Sequence, residues 1–415
     1  RSVCGAAVST DAAARRTYCH ALQQNFSVLA PAGVGKTTAI VDRIVQMARR
    51  PDAIDKLPRL VVVTYTLKAA TEMKQRVQQG LLQERISASA QQALRRAFFG
   101  TIHSFCVFLQ QHYGHYLGLP PRLALQRNEA LLWQEFARGF HRLPAKWTQQ
   151  VPALFFRLLP FEKILETRSS LAFTALAQTG PPFPQLDFSG TLAYQAKGNA
   201  RAKVAEDQDL LRNFIDQLRQ KGQRPIALPE RTSSAAAFAD LWDKEFAPLR
   251  QWLSHYSLRL GSLVEEAFRQ FRLQRQQQTY ADQITLAQQL SAMPNVIRAL
   301  RRQALCVILD EAQDCSMAQF AILTELCRPE NAQGVWIYGA SDGPLSGHFC
   351  MVGDPQQAIY GSSNLAAYLR VHERLCESSA SALTFSTTFR CDQRIVNLVN
   401  AWGPELLHGQ SGQAS

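Results

Sequence analysis

Eight residues near the N-terminus, APAGVGKT at 30–37, bring together the residue types that hold a polyphosphate. Small residues let successive backbone N–H groups turn inward on phosphate oxygens, a lysine reaches the β and γ phosphates, and a hydroxyl holds Mg²⁺. Gly33, Gly35, Lys36 and Thr37 supply these parts, while Ala30, Pro31, Ala32, Val34 and Thr38 complete the candidate nucleotide-binding segment. Ala30 stands where the usual pattern has glycine, and it still leaves room for the turn. So short a string is weak evidence alone. A second segment strengthens it: DEAQD at 310–314 follows directly on the apolar run CVIL. A carboxylate at a strand end can hold Mg²⁺ against the Thr37 hydroxyl, and its neighbour can orient or deprotonate an attacking water. Asp310 is therefore the candidate metal ligand with Thr37, and Glu311 the candidate base. A lone Asp-Glu pair would read as a helix N-terminus suited to the macrodipole. The preceding strand and the upstream loop decide against that.

These groups need a scaffold that delivers them to one place. FSVL at 26–29 reads as a strand entering the loop, and Ile40, Val41, Ile44, Val45 and Met47 follow at helical spacing. LVVVT at 60–64 is a β-branched run of the kind buried in parallel sheets, followed by Ala69, Ala70, Met73 and Val77 at helical spacing. A third unit combines residues 98–100 with the segment TIHSFCVFLQQHYG, and Pro120 and Pro121 close this block. From about 120 to 276 the β-branched runs stop while helical spacing persists, so an inserted helical domain is expected, with GPPFP at 180–184 and the polar run 220–234 as loops. Its RQFRLQRQQQ stretch at 269–278 reads either as a helix tracking a nucleic-acid backbone or as a solvated face. Strands return at 306–309 and at FCMV, 349–352, which ends in Gly353 and Asp354; residues 383–385 start a further one. In doubly wound sheets the loops at the carboxyl ends of strands converge on one crevice, so both acidic ends can face the phosphate loop.

The chain has 415 residues, 46% apolar and 19% charged, an ordinary globular composition with room for more than one domain. A formal charge of +12 suits a polyanionic partner, although a basic protein without one fits the charge equally. Nine cysteines lie scattered without a C-x-x-C pair, which argues against zinc and disulfide frameworks and for reduced thiols in a cytoplasmic protein. No run approaches the roughly eighteen apolar residues of a membrane span, and no signal-peptide pattern is present. Arg1 rather than Met begins the sequence, the pattern of a fragment of a longer product.

Six segments in order, APAGVGKTTAIVDRI, LVVVTYTLKAATEMKQRV, GTIHSFC, VILDEAQDCSMAQF, FCMVGDPQQAIYG and FSTTFRCDQRIVNLVNA, resemble the UvrD/Rep-like superfamily 1 DNA helicases, and within them the RecB and AddA branch. The resemblance covers the α/β portions well and the insertion poorly. It implies an α/β fold: a RecA-like P-loop NTPase lobe with a parallel sheet (1–119 and 277–380), interrupted by a helical subdomain (120–276), plus the start of a second, truncated lobe (381–415). It also implies an ATP- and Mg²⁺-dependent 3′ to 5′ helicase on single-stranded DNA, in recombinational repair, whose partner would be a nuclease or second helicase subunit. Lys36, Thr37, Asp310 and Glu311 keep the roles given above. Gln357 would contact the γ-phosphate and report hydrolysis, and Arg390 would reach that phosphate with its forked donors. Thr64, Tyr65, Thr101, His103 and Tyr360 would line the single-strand groove, where aromatic faces stack on any base.

Three departures qualify these expectations. Ser362, Ser363 and Asn364 replace the family's aromatic and Arg-Gly after the IYG segment, so a weaker grip on single strands is expected. DAAARRTY stands where the family often has an adenine-reading glutamine, which relaxes the expected selectivity for ATP; a similar D-x-x-x-R opening occurs in the RecB and AddA branch. The family's later motifs do not occur before Ser415, so these residues alone are expected to bind nucleotide, hydrolyse it slowly and not translocate. Two rivals stay open at this point: another class of P-loop enzyme, such as a small-molecule kinase, and a truncated or degenerate DNA- and nucleotide-binding module without turnover.

Overall fold

The computed structural model describes residues 11–139, 150–159, 180–220, 222, 224–358, 362–378, 380–390 and 392–408. Its strands are β1 (Asn25–Leu29), β2 (Leu60–Thr64), β3 (Phe98–Thr101), β4 (Ala124–Leu125), β5 (Gln277–Gln278), β6 (Cys306–Leu309), β7 (Phe349–Gly353) and β8 (Ala380–Thr384). Six of them form one sheet in the order β3-β2-β6-β7-β1-β8, with every neighbouring pair parallel. Its helices include α1 (Ala12–His20), α2 (Lys36–Ala48), α3 (Leu67–Gln83), α4 (Ile102–Tyr113), α5 (Arg201–Arg219), α6 (Ala236–Gln274), α7 (Tyr280–Ala292), α8 (Pro294–Arg302), α9 (Met317–Leu326), α10 (Ser362–Ser378) and α11 (Gln393–His408).

Strand residues alternate between two faces, and here both faces are covered. Val61, Val63, Val307, Leu309, Phe349 and Met351 enter one core with Phe105 and Leu109 of α4, Leu290 of α7 and Phe320 of α9. Leu60, Val62, Ile308, Cys350 and Val352 enter the other with Tyr18 of α1, Ile40 and Ile44 of α2, and Met73 and Val77 of α3. That double burial is why the strands read as unbroken apolar runs. It also fixes the register, because a one-residue slip would exchange the two cores.

The chain forms two compact units, Arg1–Leu123 with Thr279–Ser415, and Ala124–Gln278. The expected insertion limits of 120 and 276 stand against unit limits of 124 and 278, set by the short parallel ladder of β4 with β5. Helix α6 dominates the second unit. Phe238, Trp242, Phe246, Leu249, Trp252, Tyr256, Leu260, Val264 and Phe268 recur three or four residues apart along it and form one buried stripe. The GPPFP segment straps over that stripe: Trp252 Nε1 and Tyr256 Oη both donate to the Pro181 carbonyl, at 3.2 and 2.9 Å. The arginines of RQFRLQRQQQ all have carboxylate partners, Arg269 with Glu266, Arg272 with Glu265 and Arg275 with Glu135. They neutralise the unit's own acids, and Arg269 and Arg272 are buried while Arg275 faces solvent.

Of the stretch 381–415, expected to start a second lobe, residues 381–384 lie in β8, which pairs with β1 from Asn25↔Ala380 to Leu29↔Thr384 and extends the first sheet. Without β8, the free N–H and C=O groups of β1 would stand at an open edge. Among the described residues no helix is long and apolar enough to cross a membrane.

Candidate nucleotide site

The carboxyl ends of β1, β6 and β7, neighbours in the sheet, meet at the phosphate loop. Ala30 N donates to the Gly353 carbonyl at 2.9 Å, pinning the loop's start to the end of β7. Gly33 and Gly35 have φ of +77° and +78°, a region that L side chains rarely adopt. Gly33 is needed for space as well: a Cβ there would lie 2.7 Å from Arg390 Cβ and 2.9 Å from Thr388 Oγ1. Gly35 caps α2 without any side chain bonding to the cap, so the first N–H groups of α2 face the loop, the arrangement that attracts phosphate. Lys36 opens α2, Thr37 is half-buried beside it, and Thr38, Pro31 and Ala32 are exposed or half-buried while Ala30 and Val34 are buried.

Across the site, Lys36 Nζ donates to Glu311 Oε2 at 2.9 Å, joining residues 275 apart in sequence. Glu311 has φ +52°, a strained conformation for a side-chain-bearing residue, and it turns the chain directly after β6. Gln313, 1% exposed, takes the next step. Its Nε2 donates to Glu311 Oε2 and its Oε1 accepts from Asp354 N, both at 2.9 Å. Asp354 in turn accepts from Gln357 Nε2 and from Gln356 N. A continuous polar chain therefore runs Lys36, Glu311, Gln313, Asp354, Gln357. Arg390 lies on the loop's other side, with Phe389 N donating to the Gly33 carbonyl at 2.9 Å and the Arg390 side chain exposed.

Burial and mutual repulsion act on the carboxylates of this site. Burial pushes the Asp310 carboxyl up to about 7, the Glu311 charge adds to the rise, and Lys36 opposes it. Burial and Glu311 also raise Asp314, whose Oδ1 is buried without a hydrogen-bond partner among the described residues. Asp310 and Thr37 offer only hard oxygen donors, and no group of three or more His, Cys, Asp or Glu that could hold a metal exists among the described residues. One or two carboxylates completed by phosphate oxygens and water is the usual arrangement for Mg²⁺, so these residues fit that ion.

The expected single-strand contacts cluster at the ends of β2 and β3, where Thr64 and Thr101 are register partners. Tyr65 is 48% exposed and can present its ring to a base. Thr64 is 2% exposed and its hydroxyl donates to the Thr66 carbonyl at 2.9 Å, so it shapes the turn after β2. Thr101 caps α4 through a reciprocal pairing with Ser104. His103 is half-buried, with burial as the leading cause of a lowered pKa, and its Nδ1 has no hydrogen-bond partner among the described residues. Its ring meets Tyr280, 46% exposed, edge to face at 4.8 Å. Tyr360 lies outside the described residues. Asn364, in the segment that departs from the family, donates to the Asp314 carbonyl at 2.9 Å.

Sequence reasoning missed Gln313 as the link between Glu311 and Asp354, and Tyr280 beside His103. The signal for Gln313 lay in DEAQD itself, a long amide side chain two residues beyond the candidate base. Nothing local marked Tyr280.

A model of the family described as UvrD/REP helicase N-terminal domain matches residues 11–372. The chain is also similar to an ATP-dependent helicase/nuclease subunit of Alkaliphilus metalliredigens, 26% identical over 268 residues that cover 56% of this chain and 21% of that protein. The protein of the same description from Moorella thermoacetica is 39% identical over 108 residues, 24% of this chain and 8% of the relative. That of Staphylococcus aureus (strain JH9) is 42% identical over 102 residues, 23% of this chain and 8% of the relative. The chain thus matches between 8% and 21% of the length of these relatives. With its parallel sheet, its phosphate loop and its acidic strand ends, the chain belongs to the UvrD/REP helicase N-terminal domain family.

Proposed function

We propose that the chain is the ATP-binding motor part of a DNA helicase that moves 3′ to 5′ on single-stranded DNA and serves recombinational repair in the cytoplasm. The observation that carries this reading is the Lys36–Glu311 pair at 2.9 Å beside buried Asp310. A nucleotide's terminal phosphates offer Lys36 a better partner than Glu311, so nucleotide binding frees that carboxylate while Gln313 keeps it in place. Glu311 then takes the proton as water attacks the γ-phosphorus and the bond to the β-phosphate oxygen breaks. Asp310 and Thr37 would hold Mg²⁺, which when bound neutralises charge on the β and γ oxygens. Gln357, at the far end of the polar chain from Lys36, senses the γ-phosphate, and Arg390 stabilises the charge on the transferring group. Tyr65, His103 and Tyr280 supply rings for bases that pass without sequence preference. The relatives' shared description, an ATP-dependent helicase/nuclease component, supports partnership with a nuclease or second helicase subunit.

Hydrolysis of MgATP by this chain, with and without a thymidine oligonucleotide, tests the reading. Slow turnover that the oligonucleotide accelerates, and that Lys36→Ala abolishes, is expected. Turnover indifferent to DNA would return the chain to the other P-loop enzymes. Tight binding of both ligands with no turnover at all would favour a non-catalytic module.

A further inference from the structure

Asp11 and Arg15, one turn apart at the start of α1, belong to neither the phosphate loop nor the acidic strand ends, yet they bond both to the loop and to the segment that leads to Arg390. Arg15 Nε and Nη2 donate to the two Asp11 carboxylate oxygens at 2.9 and 2.8 Å. The same Nη2 donates to the Val34 carbonyl, inside the phosphate loop, at 2.7 Å. Asp11 Oδ2 accepts from Ser386 N at 2.8 Å and from Thr387 N at 3.2 Å, in the segment that leads to Arg390. The guanidinium also lies over the Phe385 and Phe389 rings, 4.4 and 5.1 Å from their centroids. The pair is largely withdrawn from water, with side-chain exposures of 3% for Asp11 and 18% for Arg15. Bidentate, charge-assisted bonds so shielded are among the stronger polar contacts a protein makes, and their fork geometry is specific to arginine.

We infer that Asp11 and Arg15 form a clasp that fixes the segment 385–390 to the phosphate loop and thereby sets where Arg390 stands over the nucleotide. They are positioning residues, acting through Arg390. Besides the clasp, Phe389 N donates to the Gly33 carbonyl between segment and loop. The D-x-x-x-R spacing follows from this task, since residues four apart share a helix face and let the fork meet the carboxylate. The consequence for turnover rests on the ATP-hydrolysing reading above, whereas the clasp itself does not.

Hydrogen exchange and kinetics on the same variants separate the two. In Asp11→Ala and Arg15→Ala the amides of residues 386–389 should exchange at least tenfold faster, with exchange of the β6 and β7 amides unchanged. Unchanged exchange at 386–389 overturns the clasp, whatever the activity. Faster exchange in a chain that hydrolyses no ATP supports the clasp and fails the functional reading instead. Where the chain turns over, Arg15→Ala should lower kcat roughly 10- to 100-fold, the scale of a misplaced reacting group, with KM changed less. In an Arg390→Ala background the same substitution should cost little more. Additive losses there would show that Arg15 acts elsewhere and would overturn its role through Arg390. Arg15→Lys keeps the charge without the fork and should fall between wild type and Arg15→Ala; full rescue by lysine would contradict a bidentate clasp. A general loss of folding in the alanine variants would raise exchange in β6 and β7 too, and with Arg15→Lys equal to wild type it would likewise count against the clasp.

Discussion

Two ends of one sheet edge handle their polar groups in opposite ways. Beneath the phosphate loop, Lys36, Glu311, Gln313, Asp354 and Gln357 are bonded each to the next. At the ends of β2 and β3, Tyr65 and Tyr280 hold their rings half in solvent, and the His103 Nδ1 is buried without a hydrogen-bond partner among the described residues. The difference matches the proposed tasks. A phosphoryl transfer needs charges fixed before the reaction begins, because donors already in place need no reorganisation at the moment of reaction. A groove that must accept every base is better served by flat faces than by a fixed hydrogen-bond pattern. Rigidity on one side and openness on the other can each be tested by substitution.

The largest effect is expected from Glu311→Gln. It should reduce DNA-stimulated turnover by about 10²- to 10⁴-fold, the range for loss of a general base, with single-strand affinity unchanged as measured by anisotropy of a labelled oligonucleotide. A similar drop in DNA affinity would break the division between the two regions. Next comes pH. Asp310 has a folded pKa of about 7 against roughly 3.9 unfolded, so the folded chain holds more protons between these values. Its contribution to stability is therefore present below about pH 4 and lost as pH rises to 7, by a few kcal/mol. Denaturant unfolding of wild type should show this loss relative to Asp310→Asn, and a saturating level of MgADP should reduce it. On the open side, Tyr65→Ala and Tyr280→Ala should each weaken single-strand binding by about 1–3 kcal/mol while leaving nucleotide affinity intact. The smallest effect belongs to Thr64→Val. Losing its bond to the Thr66 carbonyl should cost about 1 kcal/mol of folding stability and leave oligonucleotide affinity within about twofold. A large loss of DNA binding there would restore Thr64 as a direct contact.

Much of the scaffold was legible because double burial leaves a plain trace. LVVVT, CVIL and FCMV are apolar on both faces, and that is what a central parallel strand requires. Which strand lies beside which is not written in such runs. The place of β8 next to β1 depends on pairing across more than 350 residues, and the Leu383–Thr384 end gives no hint of its neighbour. Lys36, Asp310 and Glu311 were legible from residue types at fixed spacing. Gln313 and Asp354 meet only through the fold, 41 residues apart, and the acceptor is the side chain while the donor is backbone. The Asp11 and Arg15 spacing was visible as a pattern, but its partners Val34, Ser386 and Thr387 were not. In the helical unit the spacing of α6 announced a helix, yet the pairing of its arginines with Glu265, Glu266 and Glu135 came only with packing.

In the proposed site, bound phosphate displaces the Glu311 carboxylate from Lys36. Titration calorimetry of this chain with MgATP tests it on three proteins. Lys36→Ala should bind at least tenfold more weakly than wild type, and Glu311→Gln should bind as tightly or more tightly, because a competitor for the lysine has been neutralised. Equal affinity in wild type and Lys36→Ala would show that Lys36 does not hold the phosphates.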